Sequence, residues 1–281
     1  MTALRNFVST NWLADHLADD IAIVDASWHL PNADRHAHKE YLEAHIPGAV
    51  FFDIDAIADT ANPLPHMLPT PQAFSEAAGR LGIDERQRIV VYDALGLFSA
   101  PRVWWTFRVM GAKDVVILEG GLPKWQAEGR PVESGAVERA PRSFEARFRP
   151  LAVRDMAEVK SGLQSGAEQL VDARPAARFR GEAAEPRAWV KSGHIPGSLN
   201  LPSSDVVSDG TLKPPAELRA AFTDAGVDLN RPIVTSCGSG VNAAILTLAL
   251  DEIGVSVEKT ALYDGSWTEW GGRQDTDIAT D

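Results

Sequence analysis

The chain contains a single cysteine, Cys237, among its 281 residues. One thiol excludes an intramolecular disulfide, a CxxC redox pair and a zinc site built from several thiolates. The sequence also lacks a run of 18 uninterrupted apolar residues, so no segment is predicted to cross a membrane as a helix. Residues 1–17 contain polar residues such as Asn6 and Asp15 and lack the continuous apolar stretch of a secretory signal. We therefore expect a cytoplasmic protein without a membrane anchor.

Positive charge is scarce as well. Lys and Arg together number 27 against 39 Asp and Glu, which gives a formal net charge of −12 and a pI of about 5.0. Because nucleic-acid binding depends on clustered cations, a nucleic-acid partner is disfavoured. The content of hydrophobic residues, 44%, and of charged residues, 23%, is typical of a globular protein. At roughly 150 residues per domain, the length indicates about two domains.

Internal repetition supports this domain count. The tetrapeptide HIPG at residues 45–48 returns at residues 194–197. Four further pairs of similar segments flank it in the same order, at residues 21–26 and 169–173, 81–84 and 225–228, 89–92 and 233–236, and 119–125 and 264–270. Five ordered matches indicate two copies of one domain. The alternative is one larger α/β domain in which these similarities are fortuitous.

Within each copy, short apolar runs alternate with segments of helical period, for example residues 71–81, 101–110 and 241–253. This alternation predicts an α/β fold in which each copy forms a mainly parallel sheet flanked by helices. Residues 134–150 are rich in Ala, Arg, Pro and Ser without periodicity, which suggests a linker. The predicted domains are therefore residues 1–133 and residues 151–281.

The loop that begins at Cys237 carries the strongest chemical signal. The cysteine follows an apolar run, residues 232–236, and begins the segment CGSGVNA, after which apolar residues recur at helical spacing. Glycine allows a tight loop whose backbone N–H groups point at one anionic atom, and the helix N-terminus adds positive potential. Both effects favour the thiolate, the nucleophilic form of cysteine. The alternative is a small buried apolar residue.

Two other loop chemistries are disfavoured by Ala243. It replaces the last glycine of a GxGxxG nucleotide-binding motif, and it stands six residues after the cysteine, where a thiol phosphatase would have arginine. The phosphate-loop motif GxxxxGK[ST] is absent too. Nucleotide binding and phosphoester chemistry are therefore not predicted.

Several motifs together resemble a known family. They are HIPG in both copies, CGSGV at residues 237–241, and FFDID, HMLP, SAPRVWW, RFRG and YDGSW, which begin at residues 51, 66, 99, 178 and 263. The chain resembles the tandem-domain sulfurtransferases of the rhodanese type over nearly its whole length, and in particular the branch that uses 3-mercaptopyruvate. Rhodaneses that use thiosulfate usually have cationic residues after the cysteine, where this chain has Gly238 and Ser239. The fold implied is two tandem rhodanese-like domains.

The resemblance implies a role for each residue around Cys237. The thiolate would take sulfur from 3-mercaptopyruvate, release pyruvate and hold the sulfur as a persulfide, which a thiol or cyanide then accepts. Ser239 would move a proton, and Arg178 and Arg187 would bind the carboxylate and ketone oxygens of the substrate. The remaining loop residues, Gly238, Gly240, Val241 and Asn242, would contact the substrate or the persulfide. Asn242 departs from the threonine that is usual in the family.

Residues of the first repeat are also implied. The family places Asp55 and His66 against the active loop, in a cleft between the domains, where they would assist proton transfer; a purely structural role is the open alternative. Asp93 stands where the second repeat has Cys237. Because a carboxylate cannot carry a persulfide, the first domain is expected to be catalytically silent.

The partners implied are small molecules and thiols. The donor would be 3-mercaptopyruvate, and the acceptor thioredoxin, a small thiol or cyanide, with no metal or organic cofactor. Three alternatives stay open: a thiosulfate sulfurtransferase, a protein-to-protein persulfide carrier, and a non-catalytic interaction module. A carrier does not need the two arginines, and an interaction module would be expected to have lost Cys237.

Overall fold

The short apolar runs form two five-stranded parallel sheets in the computed structural model, which describes residues 4–280. The strands of the first sheet are β1 (Phe7–Val8), β2 (Ala22–Asp25), β3 (Val50–Phe51), β4 (Ile89–Tyr92) and β5 (Val115–Leu118). Those of the second are β6 (Val153–Arg154), β7 (Gln169–Asp172), β8 (Leu199–Asn200), β11 (Ile233–Ser236) and β12 (Thr260–Tyr263). A separate two-stranded sheet consists of β9 (Val207–Ser208) and β10 (Thr211–Leu212).

The two large sheets have the same strand order. The first is β1-β5-β4-β2-β3 and the second β6-β12-β11-β7-β8, and the strand pairs in both are parallel. Parallel neighbours need crossover connections, which the helices between the strands supply. The predicted α/β class and the duplication are thus confirmed.

Helices connect these strands. They are α1 (Thr10–Asp15), α2 (Ala37–Glu43), α3 (Pro71–Arg80), α4 (Ala100–Val109) and α5 (Gly121–Ala127), then α6 (Met156–Ser165), α7 (Ala176–Phe179), α8 (Pro215–Asp224), α9 (Ala243–Glu252) and α10 (Ser266–Gly272). Two 3-10 turns lie at Pro150–Ala152 and Ser203–Asp205. The start of α6 shows how local sequence sets the bounds: Asp155 and Glu158 each bond the other's backbone N–H in a capping box.

The central strands and the helices that follow them form the core. All four residues of β4 and of β11 are buried, as are nine of the ten residues of α9. Trp125 and Trp270 occupy matching positions in the repeats, and each is buried while its Nε1 donates to a carbonyl, that of Pro131 at 2.7 Å and that of Asp277 at 2.8 Å. Each indole therefore buries its ring without an unpaired donor.

The chain divides into two compact units. The first comprises the described residues up to Thr60, Leu68–Arg149 and Asp209–Thr211, and the second comprises Ala61–Met67, Pro150–Ser208 and the described residues from Leu212 onward. Most of the expected linker thus packs with the first unit, where the Phe144 ring meets that of Phe74 edge-on at 5.3 Å. The domain boundaries expected at residues 133 and 151 stay a prediction. In the part of the chain that is described, no helix is both long enough and apolar enough to cross a membrane.

In the first unit, the loop after β4 is organised by one buried carboxylate. Asp93 is 1% exposed. Its Oδ1 accepts the N–H of Leu95 at 2.8 Å, and its Oδ2 accepts those of Phe98, Ser99 and Ala100 at 2.7 to 2.9 Å. Ser99 is the N-cap of α4 but makes no side-chain capping bond, so Asp93 supplies both the cap and a negative charge at the positive end of the helix.

We expect Asp93→Ala to lower the free energy of unfolding by about 3 kcal/mol, because it leaves four N–H groups without their acceptor and α4 without its cap. Chemical denaturation of the full chain measures this. Asp53→Ala is the matched control, since Asp53 accepts two N–H groups at the exposed Asp55 and Ala56. Equal losses in the two variants would contradict a special role for Asp93.

Candidate active site

Cys237 lies directly after β11 and is 3% exposed. Its N–H donates to Ser266 Oγ at 3.3 Å, and its carbonyl accepts the N–H of Trp267 at 2.9 Å. The next carbonyl, that of Gly238, accepts the N–H of Thr268 at 2.8 Å and its hydroxyl at 2.5 Å. These bonds tie both residues to the first turn of α10 and fix the backbone that carries the thiol.

Four of the backbone amides that follow the cysteine have no acceptor in the described part of the chain. Within residues 4–280, no oxygen accepts the N–H of Ser239, Val241, Asn242 or Ala243. Gly240 has φ +79°, a conformation that favours glycine. Asn242, the N-cap of α9, makes no capping bond, and its Nδ2 donates instead to Ser203 Oγ at 3.3 Å. Buried N–H groups are normally paired, so this loop is suited to an anion.

Ser239 and His66 lie together, although 173 positions separate them in sequence. His66 Nδ1 lies 3.0 Å from Ser239 Oγ and 3.3 Å from the Ser239 carbonyl oxygen. Both residues are buried, and both belong to the second unit, which includes the segment Ala61–Met67. His66 has φ +62°, which is uncommon for a non-glycine residue and requires support from its surroundings. The pair has the geometry for proton exchange between imidazole and hydroxyl.

Arg178 is held close to the active loop by a buried carboxylate. A Cβ atom at Gly238 would lie 3.4 Å from Arg178 Nη2, which places the guanidinium beside the loop. Both oxygens of Glu185 accept from Arg178, and Oε1 also accepts from Arg174 Nη1 at 2.8 Å. The Glu185 side chain is 4% exposed and that of Arg178 is 20% exposed. Glu185 thus joins the arginine beside the loop to a second, deeper arginine.

Arg174 anchors this network in the core. Its side chain is 1% exposed, and its Nε and Nη2 donate to Asp172 Oδ2 at 2.9 and 2.7 Å. Burial lowers its pKa, but the charges and hydrogen bonds of Asp172 and Glu185 outweigh burial and leave the pKa raised, so Arg174 is cationic. Breaking a buried pair of this kind is costly, because it leaves a charge in the core without a partner.

The contacts of Arg187 and Asp55 described here do not involve the loop that begins at Cys237. Arg187 is partly buried, and its carbonyl accepts the N–H of Val190 at 3.0 Å. Asp55 belongs to the first unit and is exposed, and its Oδ2 accepts the indole N–H of Trp28 at 3.1 Å. The roles expected for these two residues stay predictions.

The profile of the rhodanese-like domain matches residues 9–128 and 155–273. The chain belongs to the rhodanese family. It is 47% identical to the 3-mercaptopyruvate sulfurtransferase of Escherichia coli K12 over 97% of each chain. It is 43% identical to the human enzyme of the same name, over 95% of this chain and 92% of that one.

Solved structures agree with the fold. The crystal structure of SseA from Escherichia coli, described as a 3-mercaptopyruvate sulfotransferase, superimposes with a TM-score of 0.86 at 46% identity and covers 93% of this chain and 98% of that one. The two rhodanese domains expected from the resemblance are thus confirmed.

Sequence reasoning missed the supporting residues of this rhodanese site. In the sequence, Glu182 and Glu185 look alike, because both are carboxylates in the stretch that contains Arg178 and Arg187. The structure separates the two, since Glu182 binds Arg180 with both side chains about half exposed, whereas Glu185 is buried. The spacing of Asp172 and Arg174, two residues apart at the end of an apolar run, was the available signal for a buried ion pair.

Glu185→Gln is expected to lower the free energy of unfolding by about 2 to 3 kcal/mol, because it leaves two buried or half-buried arginines with one fewer charged partner. Glu182→Gln is the matched control and should cost about 0 to 1 kcal/mol, as is usual for an exposed pair. Urea titration of both variants measures the difference. Equal midpoints would show that Glu185 does not support the site.

Proposed function

We propose that this chain transfers sulfur from 3-mercaptopyruvate, through a persulfide on Cys237, to a thiol or cyanide acceptor. The observation that carries the proposal is that four amides after the buried cysteine, those of Ser239, Val241, Asn242 and Ala243, have no acceptor oxygen within residues 4–280. The matching loop of the first unit folds around the carboxylate of Asp93, so the same protein provides an example of an anion in such a loop. A persulfide anion on Cys237 would receive the corresponding N–H groups.

The first half-reaction balances without a cofactor. The Cys237 thiolate attacks the sulfur of 3-mercaptopyruvate, an S–S bond forms, and the bond between sulfur and C3 breaks. The electron pair of that bond passes to C3 and the ketone as the enolate of pyruvate, which takes up a proton to give pyruvate. In the second half-reaction the acceptor thiolate or cyanide attacks the outer sulfur, and the electron pair of the S–S bond returns to Cys237. This is covalent, ping-pong catalysis.

Two arginines would bind the 2-oxo acid. The substrate carries a carboxylate, and its ketone oxygen gains charge as the enolate forms, so planar cationic groups suit it. Arg178 lies beside Gly238 and retains donors in addition to those that bind Glu185. We assign Arg187 the second contact because of its match to the family motif. Gly238, Gly240, Val241 and Asn242 would line the substrate and persulfide positions.

The Ser239 and His66 pair would deliver the proton that the enolate needs. Ser239 is two residues from the nucleophile, and His66 Nδ1 lies within hydrogen-bond distance of its hydroxyl. A hydroxyl can pass a proton to the substrate while the imidazole replaces it. Asp55 is proposed as a further member of this relay. The first domain, with Asp93 at the cysteine position, would be silent in catalysis.

The acceptor and the compartment are part of the same proposal. A persulfide enzyme with one cysteine must recover its thiol in each cycle, which a reducing compartment favours. We therefore propose that the reaction takes place in the cytoplasm, with thioredoxin or a small thiol as the acceptor.

Steady-state kinetics with 3-mercaptopyruvate and with thiosulfate, under one acceptor thiol, test the donor. We expect kcat/KM to be higher for 3-mercaptopyruvate and to vanish in Cys237→Ser. Mass spectrometry of the enzyme after donor alone should show the gain of one sulfur atom at Cys237. If thiosulfate is the better donor, the donor assignment is wrong. If neither donor turns over but Cys237 accepts sulfur from another persulfide protein, the chain is a carrier.

Arg187→Ala is expected to lower kcat/KM for 3-mercaptopyruvate by about 10²-fold, which corresponds to about 3 kcal/mol of transition-state binding. Arg180→Ala is the matched control, because Arg180 lies in the same stretch and forms a half-exposed pair with Glu182, and it should leave the kinetics unchanged. An equal effect of both substitutions would remove the argument for a specific carboxylate contact.

A further inference from the structure

A cavity of about 280 Å³ lies at the carboxyl end of β2 in the first unit. Asp25, Ser27, Ala44 and Leu122 line it, together with charged residues from the α2 region. Its volume is that of several water molecules, at about 30 Å³ each in the liquid. The cavity is separate from the residues assigned above to sulfur transfer, so its chemistry is unaccounted for.

The matching position in the second unit is filled by an arginine. Asp25 and Asp172 end equivalent strands, β2 and β7, and each accepts the N–H of the residue two positions on at 2.9 Å. In the second unit that residue is Arg174, which binds Asp172 through Nε and Nη2. In the first unit it is Ser27, whose side chain is too short to supply a cation.

The other contacts of the Arg174 guanidinium have counterparts in the cavity wall. Its Nη2 donates to the Gly193 carbonyl at 2.8 Å, and its Cζ lies 4.5 Å from the ring centroid of Trp267. Ala44 precedes His45 as Gly193 precedes His194. Leu122 and Trp267 occupy the same position in the matching segments 119–125 and 264–270. Since both Ala44 and Leu122 line the cavity, its walls correspond to the surroundings of a guanidinium.

The lining of the cavity carries more acidic than basic side chains. Asp25 is 1% exposed, and no Lys, Arg or His within residues 4–280 lies at ion-pair distance from it. Burial raises its pKa, although hydrogen bonds from Ser27 and Tyr92 oppose the shift. Glu40 and Glu43 also line the cavity, and the one arginine in its wall, Arg35, donates through Nε and Nη2 to Glu40.

We propose that this cavity binds a guanidinium group, either a small alkylguanidine or an arginine side chain of a partner protein. Asp25 would take the role that Asp172 has toward Arg174, with two parallel N–H···O bonds. The Ala44 carbonyl would replace that of Gly193, and Leu122 would cover the planar face. A bound guanidinium would serve as a counterion for the buried carboxylate and offset the cost of removing its charge from water.

Isothermal titration of the full chain with methylguanidinium chloride tests the proposal. We expect saturable binding at one site and a rise in Tm with ligand concentration. Ethylammonium chloride at equal ionic strength is the matched ligand control and should bind at least tenfold more weakly. A blocked peptide containing arginine, titrated in parallel, distinguishes a protein partner from a small ligand by which of the two binds more tightly.

Three variants locate the site. Asp25→Asn should weaken methylguanidinium binding at least tenfold. Ser27→Arg should abolish binding and raise Tm, because it supplies the cation internally, whereas Ser27→Met should abolish binding without the rise attributable to charge. Circular dichroism confirms that each variant is folded. Absence of saturable binding to the wild type, equal affinity for ethylammonium, or unchanged binding in Ser27→Arg would overturn the proposal.

Discussion

The interaction on which the structure depends is between backbone N–H groups of a strand-to-helix loop and an acceptor that carries negative charge. After β4 and again after β11, the chain turns so that several backbone N–H groups converge at the start of a buried helix. Such a nest is costly when empty, because buried donors without acceptors lose their hydrogen bonds with water. The first unit meets this need permanently with Asp93. The second has Cys237 in that place, whose sulfur can become anionic and can also carry a second sulfur.

Buried charge in the second unit serves to position rather than to react. Asp172 holds Arg174, Arg174 shares Glu185 with Arg178, and Arg178 lies beside Gly238. The three ion pairs of this chain, Asp172–Arg174, Arg174–Glu185 and Glu185–Arg178, each include at least one side chain removed from water. Breaking a buried pair is costly, so the geometry is well defined. The same chain of contacts that stabilises the unit thus holds a cation beside Gly238, the residue that follows Cys237. Catalytic groups need support of this kind from residues that do not touch the substrate.

Much of this arrangement could be predicted from the sequence. The repeated segments predicted two sheets of one topology, and the apolar run at residues 89–92 coincides with β4. The position of Cys237 between a strand and a helix followed from the sequence pattern, in which a continuous apolar run precedes it and apolar residues at helical spacing follow it. Pairing partners could not be predicted in this way, because hydrophobic periodicity reports which side chains are buried and not which polar groups meet. Glu185 and Glu182 therefore looked alike, and the hydrogen bonds of Asp93 and the cavity at Asp25 were not foreseen.

The two repeats differ in opposite ways at two corresponding positions, the loop after β4 or β11 and the end of β2 or β7. In the loop, the first unit carries its own carboxylate, Asp93, and the second has Cys237 in its place. At the end of β2 and β7 the order is reversed, because the second unit supplies its own counterion, Arg174, whereas no cationic side chain among residues 4–280 pairs with Asp25 in the first. A duplicated fold keeps the backbone geometry that creates such positions, since that geometry is set by sheet and turn. Single side chains, such as Arg174 in the second unit and Ser27 in the first, then decide whether a position is filled from within the chain.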